Sequence, residues 1–317
     1  IHYFPPFWIP GLASLARNDK RIQMNLIQRL WQKTRLFLEM IKFEHSLFAL
    51  PFAYLGLFLA EKGWPRPHLL LWVTAAMVSF RTMAMGFNRL IDLPIDGQNP
   101  RTKNRALPAG SLKPSFVWIL TGIAGAIFEL SAFQLGRLCF ALSPLPVLLA
   151  WFYPWTKRFT WFSHLLLGII LGIAPYGAWL ASRQEFSWIP GLLMLGVTTW
   201  VAGFDILYAL QDEAFDRQFG LYSLPSRFGP KAAIQVTTVF HTLTWIAWFS
   251  AGLLAGLGVV YQLGVVLAGL FLIREHWLIR SCGIQKIGEA FFTMNAIVSV
   301  CVFLAFVADF SFGKFFP

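Results

Sequence analysis

The chain has 317 residues, of which 57% are hydrophobic and only 13% charged, with a mean hydropathy of +0.60. A soluble domain carries about 25% charged residues, so too little polar material is left to coat a water-facing surface, and the composition reads as a polytopic membrane protein. The net charge of +11 suits positive cytoplasmic loops, and with no basic block on a compact soluble region, nucleic-acid binding is set aside.

The chain opens IHYFPPFWIPGL, which lacks the basic region and clean apolar core of a cleaved signal. Residues 1–20 are expected to be an N-terminal extension of no assigned role. From Arg21 to Lys42, apolar Ile22, Leu26, Leu30, Leu36, Leu38 and Ile41 alternate with Arg29, Lys33 and Arg35. This predicts a basic amphipathic helix over 21–43, lying on the membrane surface. Residues 44–317 then form a single transmembrane domain. Its apolar runs fall at 44–60, 69–91, 115–135, 138–155, 161–181, 188–208, 232–254, 258–279 and 290–310. Each is near the ~20 residues a helix needs to cross a bilayer, so the expected fold is all-α, with nine transmembrane helices around a central cavity. Cys139, Cys282 and Cys301 form no CxxC pair and are expected to pack inertly.

With the N-terminus inside, most of the 26 Lys and Arg residues fall on that side. Only Lys62, Arg66, Arg137, Arg183 and Lys314 fall outside. That asymmetry predicts an inner-membrane protein whose loop after the second helix faces the cytoplasm.

This loop begins in the stretch GFNRLIDLPIDGQNPRTKNRALPAG, residues 86–110. Asn88, Asp92 and Asp96 are spaced by four, so they share a helix face, and hard oxygen ligands of this kind suit Mg²⁺. Arg101, Lys103 and Arg105 follow, suited to an anion beside the metal. Pro94 predicts that the helix ends near Asp92, with Asp96 already in the loop. A second acidic stretch, FDILYALQDEAFDRQFGLYSLPSRFG, sets Asp212 and Asp216 120 residues after the first pair. Tyr208 stands where Asn88 would, and each pair precedes a Leu-Pro turn, a weak internal repeat. One pair alone reads equally as a solvated helix end. Two pairs in register read as half-sites converging on one cavity, where two Mg²⁺ bridging a diphosphate would compensate four carboxylates.

Arg81 lies seven residues before Asn88, about 10 Å deeper in the membrane, where an arginine costs at least about 2.5 kcal/mol. It either pairs with Glu129 or docks a substrate carboxylate. Lys157, in YPWTKR, either anchors topology or adds positive charge to the diphosphate, with Tyr153 lining the cavity. His164 and His241 read as core residues. Among the abundant Phe and Trp, a few rings are able to face an allylic cation.

Together, Asn88-x3-Asp92-x3-Asp96, Asn99-Pro-Arg-Thr-Lys-Asn-Arg105, Leu107-Pro-Ala-Gly110, Tyr153-Pro-x2-Lys157-Arg158, Tyr208-Ala-x2-Asp212-x3-Asp216 and Phe291-Phe-Thr-Met-Asn295 resemble the UbiA family of intramembrane aromatic prenyltransferases. Arg81 is similar to the 4-hydroxybenzoate polyprenyltransferase branch, and Leu93-Pro94 and Ala106 depart from its pattern. The resemblance implies transfer of a polyprenyl group from a polyprenyl diphosphate to the ring of an aromatic acid, in ubiquinone or menaquinone biosynthesis. It implies two Mg²⁺ held by Asn88, Asp92, Asp96, Asp212 and Asp216, and pyrophosphate neutralised by Arg101, Lys103, Arg105 and Lys157. Arg81 then orients the acid and Tyr208 positions a carboxylate. No obligate protein partner is implied. The futalosine-pathway menaquinone, 1,4-dihydroxy-2-naphthoate and protohaem prenyltransferases are alternatives within that class. A transporter with intramembrane carboxylates is the alternative outside it, and its charges belong near the midplane.

Overall fold

The computed structural model describes residues 26–42, 50–282 and 287–312, without strands among them. The expected N-terminal extension, the start of the surface helix and the first residues of the first apolar run lie outside the described residues, as does the side chain of Cys282.

The described chain is a succession of helices: α1 (Leu26–Met40), α2 (Leu50–Glu61), α3 (Pro67–Ile91), the short α4 (Leu93–Asp96), α5 (Pro114–Gln134), α6 (Arg137–Leu142), α7 (Pro144–Thr156), α8 (Ser163–Arg183), α9 (Trp188–Ala209), α10 (Glu213–Gln218), α11 (Leu224–Leu254), α12 (Val259–Cys282) and α13 (Ile287–Phe312). Among the described residues, seven helices are long and apolar enough to cross a membrane, and the chain is an integral membrane protein. The fourth apolar run is split, with α6 and α7 joined at Ser143. Of the nine expected spans, the first is described for only the 12 residues of α2. The seventh, in α11, is long but carries Thr237, Thr238, His241, Thr242 and Thr244, which dilute its apolar character.

Packing follows a circuit. α2 lies against α8, α8 against α9, α9 against α11, α12 against α13, and α13 returns to α2, while α3 pairs with α5 and α7. In lipid no hydrophobic drive separates helix from solvent, so close backbone approach decides which faces pair. Gly168 and Gly172 of α8, four apart, supply such a face. A Cβ at Gly168 would meet the Thr198 carbonyl oxygen of α9 at 2.2 Å. The shared core stacks aromatic rings: Phe52 lies 4.8 Å from Trp248 and 5.4 Å from Trp200, contacts worth about 0.5–1.5 kcal/mol each beyond their area. Ile119, Ile123, Ile127 and Leu130 of α5 stay exposed, spaced by three and four, and form its lipid-facing stripe.

The helix predicted over 21–43 appears as α1, and it does more than lie on a surface. Phe37, Met40 and Ile41 are buried in one cluster with Leu107, Leu112 and Val117, so α1 braces the loop between α4 and α5. That loop turns at Gly110, whose N–H donates to the Leu107 carbonyl at 3.0 Å with φ +73°, a region glycine enters without steric cost.

Candidate active site

Both acidic pairs sit where a long helix breaks and restarts. Asp92 caps α3, its N–H donating to the Asn88 carbonyl at 3.0 Å, and the chain resumes as α4. Pro94 is second in α4, where a missing N–H forfeits no hydrogen bond. Asp96 therefore ends a helical turn, its N–H donating to the Asp92 carbonyl at 2.7 Å, and is not in the loop expected from Pro94. After α9 the chain tightens into a 3₁₀ turn, Leu210–Asp212, then restarts as α10, which carries Asp216. The second Leu-Pro is likewise no turn but the start of α11, capped by reciprocal bonds between Ser223 and Ser226.

Basic side chains hold the carboxylates. Lys157 Nζ donates to Asp92 Oδ2 at 2.7 Å, and Asn88 Nδ2 reaches the same oxygen at 3.1 Å. Asp96 Oδ2 accepts from Arg105 at 2.8 Å and from Arg89 at 3.3 Å. Across the site, Arg101 Nε donates to Asp212 Oδ1 at 2.9 Å, and its Nη2 closes a bidentate pair on Oδ2. Asn99 Nδ2 adds 3.1 Å to Asp212 Oδ1, and Arg101 Nη1 donates to the Tyr208 hydroxyl at 3.0 Å. The loop from the first half thus reaches over to the second, and the two half-sites meet. Arg158 completes the junction, Nη2 donating to the Ile91 carbonyl at 2.9 Å with its guanidinium 4.4 Å from the Trp155 ring. Lys103 stays exposed and has no ion pair among the described residues. Asp216 is half-buried and likewise has no ion pair among the described residues.

Burial raises the Asp92 carboxyl above its ordinary value, with Lys157 pulling the other way. Its Oδ1 is buried without a hydrogen-bond partner. That orphaned oxygen, with the oxygen donors of Asn88, Asp96, Asp212 and Asp216, makes a hard-ligand set of the kind Mg²⁺ accepts. As placed, however, no three His, Cys, Asp or Glu side chains among the described residues stand together as a metal group. Three of the carboxylates expected to cluster, Asp92, Asp96 and Asp212, are each held by a cation.

Beneath this layer opens a cavity of about 1030 Å³. Asn88, Arg89, Arg105 and Tyr208 border it towards the acidic pairs, Arg81, Tyr153 and Asp205 line it, and Phe52, Phe80, Phe128, Leu167 and Trp200 give it apolar walls. Glu129 accepts from Ser143 Oγ at 2.6 Å.

Residues 49–297 match the UbiA prenyltransferase family. The chain belongs to that family. This UbiA protein is therefore a membrane prenyltransferase, as its motifs imply. It is similar to the 4-hydroxybenzoate octaprenyltransferase of Francisella tularensis subsp. tularensis (strain WY96-3418), 26% identical over 261 residues, covering 82% of this chain and 89% of the relative. The protein of the same name from Vibrio vulnificus (strain CMCP6) is 28% identical over 260 residues, covering 80% and 89%. Among solved structures, a UbiA homolog from Aeropyrum pernix K1 shares 32% identity at a TM-score of 0.77, covering 84% of this chain and 98% of the other. A UbiA homolog from Archaeoglobus fulgidus, bound to GPP and Mg²⁺, shares the fold at 17% identity and a TM-score of 0.69, covering 87% and 99%.

Sequence reasoning passed over three participants. Arg89 reads as one more charge at a helix end, and Asn99 as part of a turn. Asp205 is hidden in an apolar run and has no counterpart in the first half, where Met85 stands at the same offset.

Proposed function

We propose that the chain transfers a polyprenyl group from a polyprenyl diphosphate to the ring of a 4-hydroxybenzoate-like aromatic acid, with Mg²⁺, in quinone biosynthesis. The reaction takes place at the cytoplasmic face of an inner membrane. The observation that carries this reading is the meeting of two acidic half-sites, bridged by Arg101, over an apolar cavity lined by the half-buried Arg81. The names of the curated relatives, and the GPP and Mg²⁺ held by an archaeal protein of the same fold, support it.

Asn88, Asp92, Asp96, Asp212 and Asp216 are the residues to hold Mg²⁺, whose bound charge stabilises a departing oxyanion. Arg101, Arg105 and Lys157 now hold carboxylates. In the loaded enzyme the same donors turn to diphosphate oxygens, for which a guanidinium fork is well shaped. The apolar walls take the isoprenoid tail and keep water from the allylic carbon, which would otherwise be hydrolysed. Arg81, lining the cavity below Asn88, binds the acceptor's carboxylate, so the ring carbon beside the phenol hydroxyl meets C1 of the prenyl group. C1 loses its bond to the pyrophosphate oxygen, gains one to the ring carbon, and the ring gives up a proton.

The test is a membrane assay with one radiolabelled polyprenyl diphosphate and a panel of aromatic acids, with and without Mg²⁺. A labelled, prenylated phenolic acid formed only with the metal is expected. Turnover indifferent to chelation, or no product from any aromatic acid, contradicts the proposal.

A further inference from the structure

Transfer to an aromatic ring releases one proton, and most acids of the site described so far are engaged; Asp216, without an ion pair among the described residues, does not line the cavity. Asp92, Asp96 and Asp212 are each paired with Lys or Arg, and they are the oxygens offered to metal. Among the described residues the cavity wall carries two carboxylates, Glu39 and Asp205. Glu39 is ion-paired with Arg35 at 2.8 Å and stands largely exposed. Asp205 is different. It lies on α9, about two turns before Asp212 and so roughly 10 Å deeper, where the ring of an acceptor docked beneath the diphosphate belongs.

Among the described residues it bonds to His164, whose Nδ1 lies 2.7 Å from Asp205 Oδ2. On the other side of the ring, His164 Nε2 lies 3.3 Å from the backbone nitrogen of Leu224, the first residue of α11. A backbone N–H only donates, so Nε2 accepts, the imidazole proton is on Nδ1, and the ring is neutral. Among the described residues Asp205 therefore has no ion pair with a Lys or Arg, unlike the three paired carboxylates above it. Its second oxygen has no hydrogen-bond partner among the described residues, and its side chain keeps 22% of its surface open. His164 fixes the carboxylate's orientation from α8 and ties α9 to the start of α11. That bond would hold the helices together wherever Asp205 pointed, and placing the acid in the cavity wall is what needs a chemical reason.

We infer that Asp205, oriented by His164, is the general base that takes the phenolic proton of the acceptor. The inference rests on the reaction proposed above. The O–H bond breaks to Asp205 Oδ1 as the ring carbon beside it bonds to C1 and C1 parts from pyrophosphate. The resulting dienone moves its remaining ring proton from carbon to oxygen, restoring the phenol. Asp205 gives its proton to water when product leaves, so one proton and one pyrophosphate are released per transfer. His164 is a positioning residue.

The test uses full-length wild type, Asp205→Asn and Asp205→Ser in lipid nanodiscs, with 4-hydroxybenzoate and its more acidic 3-fluoro derivative. A prenyl diphosphate binding measurement shows that each variant is folded. Loss of a general base typically costs about 10²–10⁴-fold. In both variants kcat with 4-hydroxybenzoate is expected to fall about 10²-fold with little change in acceptor KM. The deficit should shrink with the fluorinated acceptor, and shrink again as pH rises towards phenol ionisation near ~10. A variant that binds donor yet keeps kcat within about threefold, or loses both acceptors equally at every pH, overturns the role of Asp205. Wild type that prenylates neither phenol overturns the reaction itself, and the base with it, which separates the two failures.

Discussion

The two halves of the repeat carry the same acids and very different surroundings. In the first half, Asp92 and Asp96 side chains are 4% and 9% exposed, and their partners come from three places: Arg89 on α3, Arg105 on the following loop, and Lys157 at the end of α7. In the second half Asp212 is 18% exposed, Asp216 has no ion pair among the described residues, and the bidentate partner of Asp212 is Arg101 from the first half. The acids thus recur in both halves, while the cations that hold them come from the first half and from α7. The loop of residues 97–113 became the clasp between halves, with α1 packed behind it. Such a division suits the proposed release of pyrophosphate, the second half being held by a guanidinium able to exchange one anion for another.

That comparison can be broken at either half. The largest loss is expected for Asp92→Asn or Asp212→Asn, each lowering pyrophosphate release by at least about 10²-fold while the protein remains inserted. Retained turnover in both would remove the metal assignment. Next comes Arg101→Ala. It removes charge-assisted bonds worth roughly 1.5–3 kcal/mol, so kcat should fall about 10- to 100-fold and donor KM should rise, read by steady-state kinetics. Arg81→Leu should act on the acceptor alone, raising its KM roughly tenfold with the donor's nearly unchanged. Equal changes in both would make Arg81 a scaffold residue. Lys103→Ala, at an exposed residue without an ion pair, should change either constant by less than about twofold.

Much of this site was legible from spacing, because residues four apart on a helix must share a face and two such sets at one offset invite convergence. The breaks were harder to read. Pro94 signals a stop, and nothing in the residues around it announces that the chain resumes at once as α4, a use of proline at a helix start that depends on the preceding turn. The partners of the acids were only partly legible. Arg101, Arg105 and Lys157 stand out as loop or helix-end charges, but which carboxylate each one takes is a tertiary fact, and Lys103, in the same motif, takes none. His164, a lone histidine on an apolar face, reads as core and is buried there, while the partners that engage its two ring nitrogens, Asp205 and Leu224, are again a tertiary fact.

The central claim is that both acidic pairs grip a single diphosphate, and a double-mutant cycle on donor binding tests it most directly. The dissociation constant of a non-reacting polyprenyl thiodiphosphate with Mg²⁺ would be measured for wild type, Asp92→Asn, Asp212→Asn and the double variant. One shared site predicts that the double variant binds little worse than the weaker single, a coupling of at least about 1 kcal/mol. Losses that add to within about 0.5 kcal/mol would mean that the halves act apart.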